Sequence, residues 1–297
     1  MIEKKINFSN FFNKANILSL IAVLISIIFI AFKGLNYGID FKGGTLIEIR
    51  TDQSVEISSI RNSLSEIVSG DLNVKEFGKK GDFLIKIEKT LDQDKGFIKT
   101  IKDKITLDLQ QEVNFRRVEN VGPKVSSELL QKGLIAILLS LAAMLFYIWI
   151  RFEWQFSLGS IVALIHDVTI TLGIFSILAF EINLSIVAAV LTIVGYSMND
   201  TVVIFDRIRE NLLKYSKIKT NEIADISINE TLSRTIITSV TTLLALFSIF
   251  ILGGEILRGF SFAMILGVLI GTYSSIFVAS PVLNYFKVSQ KTLIKEE

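Results

Sequence analysis

The chain has 297 residues, 51% of them apolar, with a formal net charge of +2 and no cysteine. A mean hydropathy of +0.54 is too high for an ordinary soluble domain, and so small a net charge gives no basis for nucleic-acid binding. Without cysteine there is no disulfide to staple an exported part, whose own core must hold it.

Six stretches read as membrane spans: residues 17–32, 134–150, 156–179, 184–205, 236–252 and 260–283. Each is close to the roughly 20 residues that a helix needs to cross about 30 Å of hydrocarbon. Lys4, Lys5 and Lys14 precede the first apolar run, as they would in a signal peptide. It ends in Lys33-Gly34 with no A-x-A-like site, so it is expected to stay as an anchor.

Residues 34–133 have the mixed polar composition and the size of a separate domain. Residues 45–50 alternate like a strand, and residues 55–68 carry apolar side chains at helical spacing (Ile57, Ile60, Leu64, Ile67). Two short strands follow, 74–77 and 83–87, joined by a turn at 78–81. A second helical pattern (Phe97, Ile98, Ile101, Ile105, Leu109) precedes a strand at 115–118. The order β-α-β-β-α-β predicts a ferredoxin-like α+β domain, a fold that by itself says nothing of activity.

Past that domain, residues 134–297 predict a five-helix membrane region. In its second helix, the third span of the chain, His166 and Asp167 fall near mid-membrane, where neither belongs without a polar partner. A proton relay and a helix-packing hydrogen bond are equally good readings of the pair. The fourth span holds Asp200. A carboxylate at membrane depth is costly unless protonated, paired or facing water, so it reads as a proton or sodium site. Thr192, Tyr196 and Asp200 recur every four residues on one helical face, with Gly195 and Asn199 in the adjacent stripe. Asp200 lies roughly 8 Å from the cytoplasmic end of its helix. Arg234 opens the fifth span at a matching depth, followed by Thr235, Thr238, Ser239, Thr241 and Thr242, hydroxyls that could line a wet path for protons. The bland alternative is a purely structural Asp200–Arg234 ion pair.

Between these spans, residues 206–233 alternate charges with Ile208, Leu212, Leu213, Ile223, Ile226 and Ile228, a pattern that fits amphipathic helices on a membrane surface. In the sixth span Gly267 and Gly271 make a G-x-x-x-G spacing for close helix packing. Positive charge sets the orientation. The amino-terminal lysines, Arg207, Arg209, Lys214, Lys217 and Lys219, and the terminal Lys287, Lys291 and Lys295 mark one side. The short loops 180–183 and 253–259 hold only Arg258. Both termini are therefore expected in the cytoplasm, with residues 34–133 exported. No P-loop, nucleophile elbow or zincin motif occurs, and one histidine without cysteine argues against zinc or haem. The chain reads as a transport component without cofactor, not an enzyme, drawing on the transmembrane potential and pH gradient.

Several of these segments together resemble a known family. They are Gly38-Ile-Asp-Phe-Lys-Gly-Gly44, Val121-Gly-Pro-Lys-Val125, His166-Asp167, Gly195-Tyr-Ser-Met-Asn-Asp-Thr-Val-Val203, Phe205-Asp-Arg-Ile-Arg-Glu-Asn211, Ser233-Arg-Thr235 and the run 253–275. In this order and over the whole chain they resemble the SecD/SecF protein-export family, part of the resistance–nodulation–division superfamily of proton-driven transporters. The resemblance implies residence in the bacterial cytoplasmic (inner) membrane and proton-driven help with late preprotein translocation. It implies SecD as a second subunit, the SecYEG channel as a neighbour, YajC and YidC as further candidate partners, and preproteins and lipids as contacts. It also implies that Asp200 is the proton-linked residue and Arg234 its partner. A small-molecule or lipid exporter of the same superfamily, and an assembly subunit without ion chemistry, stay open as alternatives. The modest size of the exported domain speaks against the exporter.

Overall fold

The computed structural model describes residues 6–52, 54–68, 70–76, 78–88, 95–215, 218–286 and 288–293. Lys4, Lys5, Phe77, Lys217, Lys287 and Lys295, used above for orientation and strand assignment, lie outside the described residues.

A short 3-10 turn, Phe8–Phe11, leads into α1, Phe12–Lys33. Gly34 ends α1 at φ 75°, a left-handed-side conformation that suits glycine, and returns its N–H to the Ile30 carbonyl. Then come β1 (Asn36–Tyr37), α2 (Ile39–Lys42), β2 (Gly44–Arg50), α3 (Ile57–Ser65), β3 (Leu72–Glu76), β4 (Asp82–Ile87), α4 (Lys95–Leu109) and β5 (Asn114–Val121). The long helices α5 (Pro123–Arg151) and α6 (Trp154–Leu178) follow, then β6 (Glu181–Ile182), α7 (Leu184–Lys214), α8 (Thr220–Leu252) and α9 (Gly254–Ser274). A π-helical turn, Ser275–Ala279, joins α9 to α10 (Ser280–Tyr285), and α11 (Gln290–Leu293) comes last. All six expected spans are helices long and apolar enough to cross a membrane.

The chain divides into two units: Met1–Asn36 with Ala136–Phe180 and Ser185–Glu297, and Tyr37–Ile135 with Glu181–Leu184. In the second unit the sheet order is β3-β4-β2-β5, with every neighbouring pair antiparallel, as the ferredoxin-like reading requires. Strand alternation puts Ile47, Ile49, Phe83 and Ile85 on one face, where they form a core with Ile60 and Leu64 of α3 and Ile101 and Ile105 of α4. On the other face Arg50 and Asp82 stand directly opposite each other and join in a two-pronged ion pair at 2.5 Å.

In the first unit, close approach replaces bulk at the helix crossings. A Cβ on Gly173 of α6 would fall 2.2 Å from Ser26 Cβ of α1, and one on Gly267 of α9 would fall 2.2 Å from Ile193 Cγ1 of α7. These crossings use the small residues that let helix backbones meet in an apolar medium. α5 is the least covered helix, with 6% of its most apolar window buried, and Leu134, Leu138, Leu139 and Trp149 stay exposed.

The expectation of separate surface helices over 206–233 is corrected. α7 runs unbroken to Lys214 and α8 begins at Thr220, so the segment is mostly the ends of two long helices. Its apolar side chains Ile208, Leu212, Ile223 and Ile228 are buried in the unit's own core. Extending a formed helix adds a hydrogen bond per residue, whereas a new helix needs a costly nucleus. Asn211 fastens the pair by donating to Ser227 (2.9 Å) and Glu230 (2.8 Å). The sequence reading also passed over α2, β1, β6 and the π-helical turn, all too short to show a period.

Candidate functional site

α7 is amphipathic in an apolar setting, and its rotation decides which polar residues go inside. Ser197, Asp200 and Thr201 face inward and are buried, whereas Thr192, Gly195 and Asn199 are exposed and Tyr196 is half-buried. The expected stripe of Thr192, Tyr196 and Asp200 thus turns from the open face into the interior along the helix. Tyr196 reaches α8 with its hydroxyl 3.4 Å from Thr242 Oγ1.

Asp200 is 3% exposed, and its Oδ2 has no hydrogen-bond partner among the described residues. The polar groups that act on this carboxylate are the Thr272 hydroxyl of α9 and, through space, the Arg234 guanidinium of α8. Thr272 in turn lies 2.8 Å from Ser239 Oγ of α8, so a line of oxygen groups runs from Asp200 across two neighbouring helices. Arg234 is exposed, and no ion pair among the described residues joins it to Asp200. The hydroxyl-rich stretch expected to line a wet path, 235–242, lies in the middle of α8. Thr238, Thr241 and Thr242 donate to carbonyls of their own helix, and Ser239 reaches Thr272 of α9.

His166 and Asp167 form the second polar centre. Asp167 is fully buried, and its carboxylate lies 2.8 Å from His166 Nδ1 while accepting from Ser197 Oγ of α7 (2.5 Å) and Ser274 Oγ of α9 (2.8 Å). Thr201 and Ser275 extend the cluster at 2.8 Å. His166 stacks on Tyr273, whose hydroxyl donates to the Ala15 carbonyl of α1, and His166 Nε2 is buried without a partner among the described residues. These contacts on one carboxylate tie α6, α7 and α9 together beside the π-helical turn, and such turns are frequent at functional sites.

α9 therefore serves both carboxylates through different hydroxyls, Ser274 for Asp167 and Thr272 for Asp200. Sequence reasoning missed Ser197, Thr201, Thr272, Ser274 and Ser275. The signal available was the doublet Ser274-Ser275 following Gly271, whose missing side chain lets Ser197 approach: a Cβ there would lie 2.9 Å from Ser197 Cβ. Among the described residues no three His, Asp or Glu side chains converge as a metal site would need.

Comparison with known proteins matches residues 101–289 to the family described as protein export membrane protein SecD/SecF, C-terminal, and residues 28–55 to the SecD/SecF GG motif. Protein translocase subunit SecF of Rickettsia bellii is 45% identical over 96% of this chain and 95% of its own length. The corresponding protein of Rickettsia prowazekii is 43% identical over 94% of this chain and 90% of its own. The crystal structure of SecDF, a translocon-associated membrane protein from Thermus, superposes with a TM-score of 0.86 at 34% identity. That similarity covers 97% of this chain but 39% of the Thermus chain.

Proposed function

The chain belongs to the SecD/SecF family of protein-export membrane proteins, and from that membership we propose that it is the proton-motive-force-driven subunit of a Sec export machine. It is a multi-pass membrane protein and an accessory subunit of Sec protein export. In this reading it resides in the bacterial inner membrane with both termini in the cytoplasm and promotes the late steps of preprotein translocation. It works with SecD beside the SecYEG channel, with YajC and YidC as further neighbours. The exposed face carrying Gly195, Asn199 and Arg234 is where a SecD helix would cover this chain.

The observation that carries the reading is Asp200: a buried carboxylate in a membrane helix with one oxygen unpartnered among the described residues and the Arg234 cation acting on it through space. A structural pair would close into direct contact, whereas this arrangement leaves an oxygen for a proton. When Asp200 is ionised it draws on Arg234; when a proton arrives, that attraction ends and α8 is free to shift against α7. The driving force is about 2.3 kcal/mol per charge per 100 mV. H⁺ is the coupling ion on this account, and Na⁺ would enter by the same oxygen atoms.

The test uses membrane vesicles holding the channel, SecD and either the wild-type chain or Asp200→Asn, assembled to equal levels. Completion of a translocating preprotein is followed with and without an imposed proton gradient. The variant is expected to lose the gradient-dependent component alone. An unchanged gradient response in the variant would move the proton site to His166 and Asp167 or to the partner subunit.

A further inference from the structure

The loop between α6 and α7 lies between two membrane spans, yet Glu181–Leu184 groups with the exported unit, Tyr37–Ile135. Three interactions within that unit hold it there. The Gly38 N–H donates to the Ile182 carbonyl at 2.8 Å. Asp40 Oδ2 accepts from the Leu184 N–H at 2.9 Å. Lys86, on β4, forms an ion pair with Glu181. Gly38 sits so close to this loop that a Cβ would lie 2.5 Å from Glu181 Oε1.

The other end of the same glycine-rich segment is anchored in the sheet. Gly43 closes the short helix α2 at φ 81°, and Gly44, at φ 135°, lies where a Cβ would fall 2.5 Å from the Ile87 carbonyl oxygen of β4. Only glycine combines that conformation with that approach. Lys42 adds a 3.3 Å pair with Glu88. Residues 38–44 are thus a bracket: Gly44 seats it on β4, and Asp40 bonds the first residue of α7.

That residue matters because of what α7 carries. Leu184 N–H is one of the donors that every helix leaves without an internal partner, and a carboxylate there also interacts favourably with the helix dipole. α7 continues without a break from Leu184 to Lys214. Asp200 therefore rides on the same rod, about 24 Å further along at about 1.5 Å per residue. We propose that Asp40 and the Lys86–Glu181 pair are the coupling residues that fasten the start of α7 to the exported unit, so that displacement of α7 on proton exchange is passed to that unit. This inference rests on the reading of Asp200 as the proton site. Asp40 acts here as a positioning residue and does not touch the proton.

The experiment separates proton entry from the work it drives. Vesicles with the channel, SecD and the chain would be assayed for gradient-driven proton uptake with an internal pH dye, and in parallel for gradient-stimulated preprotein completion. Asp40→Ala is expected to keep proton uptake and to lose the stimulated export. Asp40→Asn, whose amide oxygen still accepts from Leu184 N–H, is expected to keep both. Lys86→Glu and Glu181→Lys are each expected to lose stimulated export, and the two together to regain it. Stimulated export at the wild-type level in Asp40→Ala, or an Asp40→Asn as defective as Asp40→Ala, would overturn the proposal. Should Asp40→Ala fail to assemble, the charge exchange decides, and a double variant no better than either single one overturns it. Asp200→Asn, run alongside, loses both readouts if the proton site is correctly placed. If it keeps both, that reading fails, and the Asp40 comparison still reports on the bracket.

Discussion

Asp167 and Asp200 are both buried carboxylates in apolar helices, yet their surroundings suit them to different work. Asp167 is engaged by His166, Ser197 and Ser274, whereas Asp200 keeps one oxygen without a partner among the described residues. Asp167→Ala strands the Ser197 hydroxyl and the histidine, Ser274 keeping the Gly271 carbonyl, and is expected to destabilise the chain by about 1–3 kcal/mol. Asp200→Asn strands nothing comparable and is expected to stay within about 1 kcal/mol of wild type. Thermal unfolding of the purified chain in lipid nanodiscs reads both, and a larger loss for Asp200→Asn would reverse the assignment. In the sheet unit Asp82 offers a pH test. The two hydrogen bonds from Arg50, against the opposing effect of burial, hold its carboxyl below the ordinary 3.8. A lowered folded-state value means that the contribution is complete above 3.8 and is lost as the pH falls through the folded value. Asp82→Asn should therefore lower the unfolding temperature near neutrality, and its gap from wild type should narrow in acid. A gap that holds constant into acid would show that the pair's charge contributes nothing.

At the scale of elements, glycines mark which helix faces are already occupied. Gly267 and Gly271 of α9 are pressed against Ile193 and Ser197 of α7, whereas Gly195 of α7 has nothing within 4 Å. Gly267→Ala forces Ile193 aside and is expected to cost about 1–3 kcal/mol. Gly195→Ala meets no neighbour and is expected to leave the isolated chain at least as stable, since alanine favours a helix by about 0.5–1 kcal/mol over glycine. The bulkier Gly195→Leu should leave folding intact and reduce co-purification with SecD. Undiminished co-purification would mean that this face is not covered by that partner. The long helices themselves were plain in the sequence because hydropathy and length report them locally. Their ends were not: α7 and α8 run on past the apolar stretches, since the charged residues of 206–233 have an apolar stripe that the two helices bury together.

For the whole molecule, the orientation inferred from positive charge has a direct check, because a chain without cysteine accepts single cysteines cleanly. Lys99→Cys, in the sheet unit, should react with an impermeant maleimide added to intact cells. Lys219→Cys, just ahead of α8, should react only after the membrane is opened. The reverse pattern would invert the topology and put the Asp200 end of α7 on the outer side.

The amino-acid sequence by itself determined the six spans, the β-α-β-β-α-β order of the exported part and the presence of Asp200, Arg234, His166 and Asp167 in apolar surroundings. These are local properties: each span must satisfy its own backbone inside the bilayer, so it shows itself as one uninterrupted apolar run, and an ionisable residue within that run stands out. Only the tertiary structure decided that Ser197 and Ser274 meet on Asp167, that the Thr272 hydroxyl serves Asp200, and that Asp40 reaches the start of α7. Those meetings depend on how far each helix is rotated about its axis and on contacts between residues far apart in the chain. A lone serine in an apolar helix, or an aspartate in a glycine-rich turn, carries no mark in its own sequence of the partner that folding brings to it.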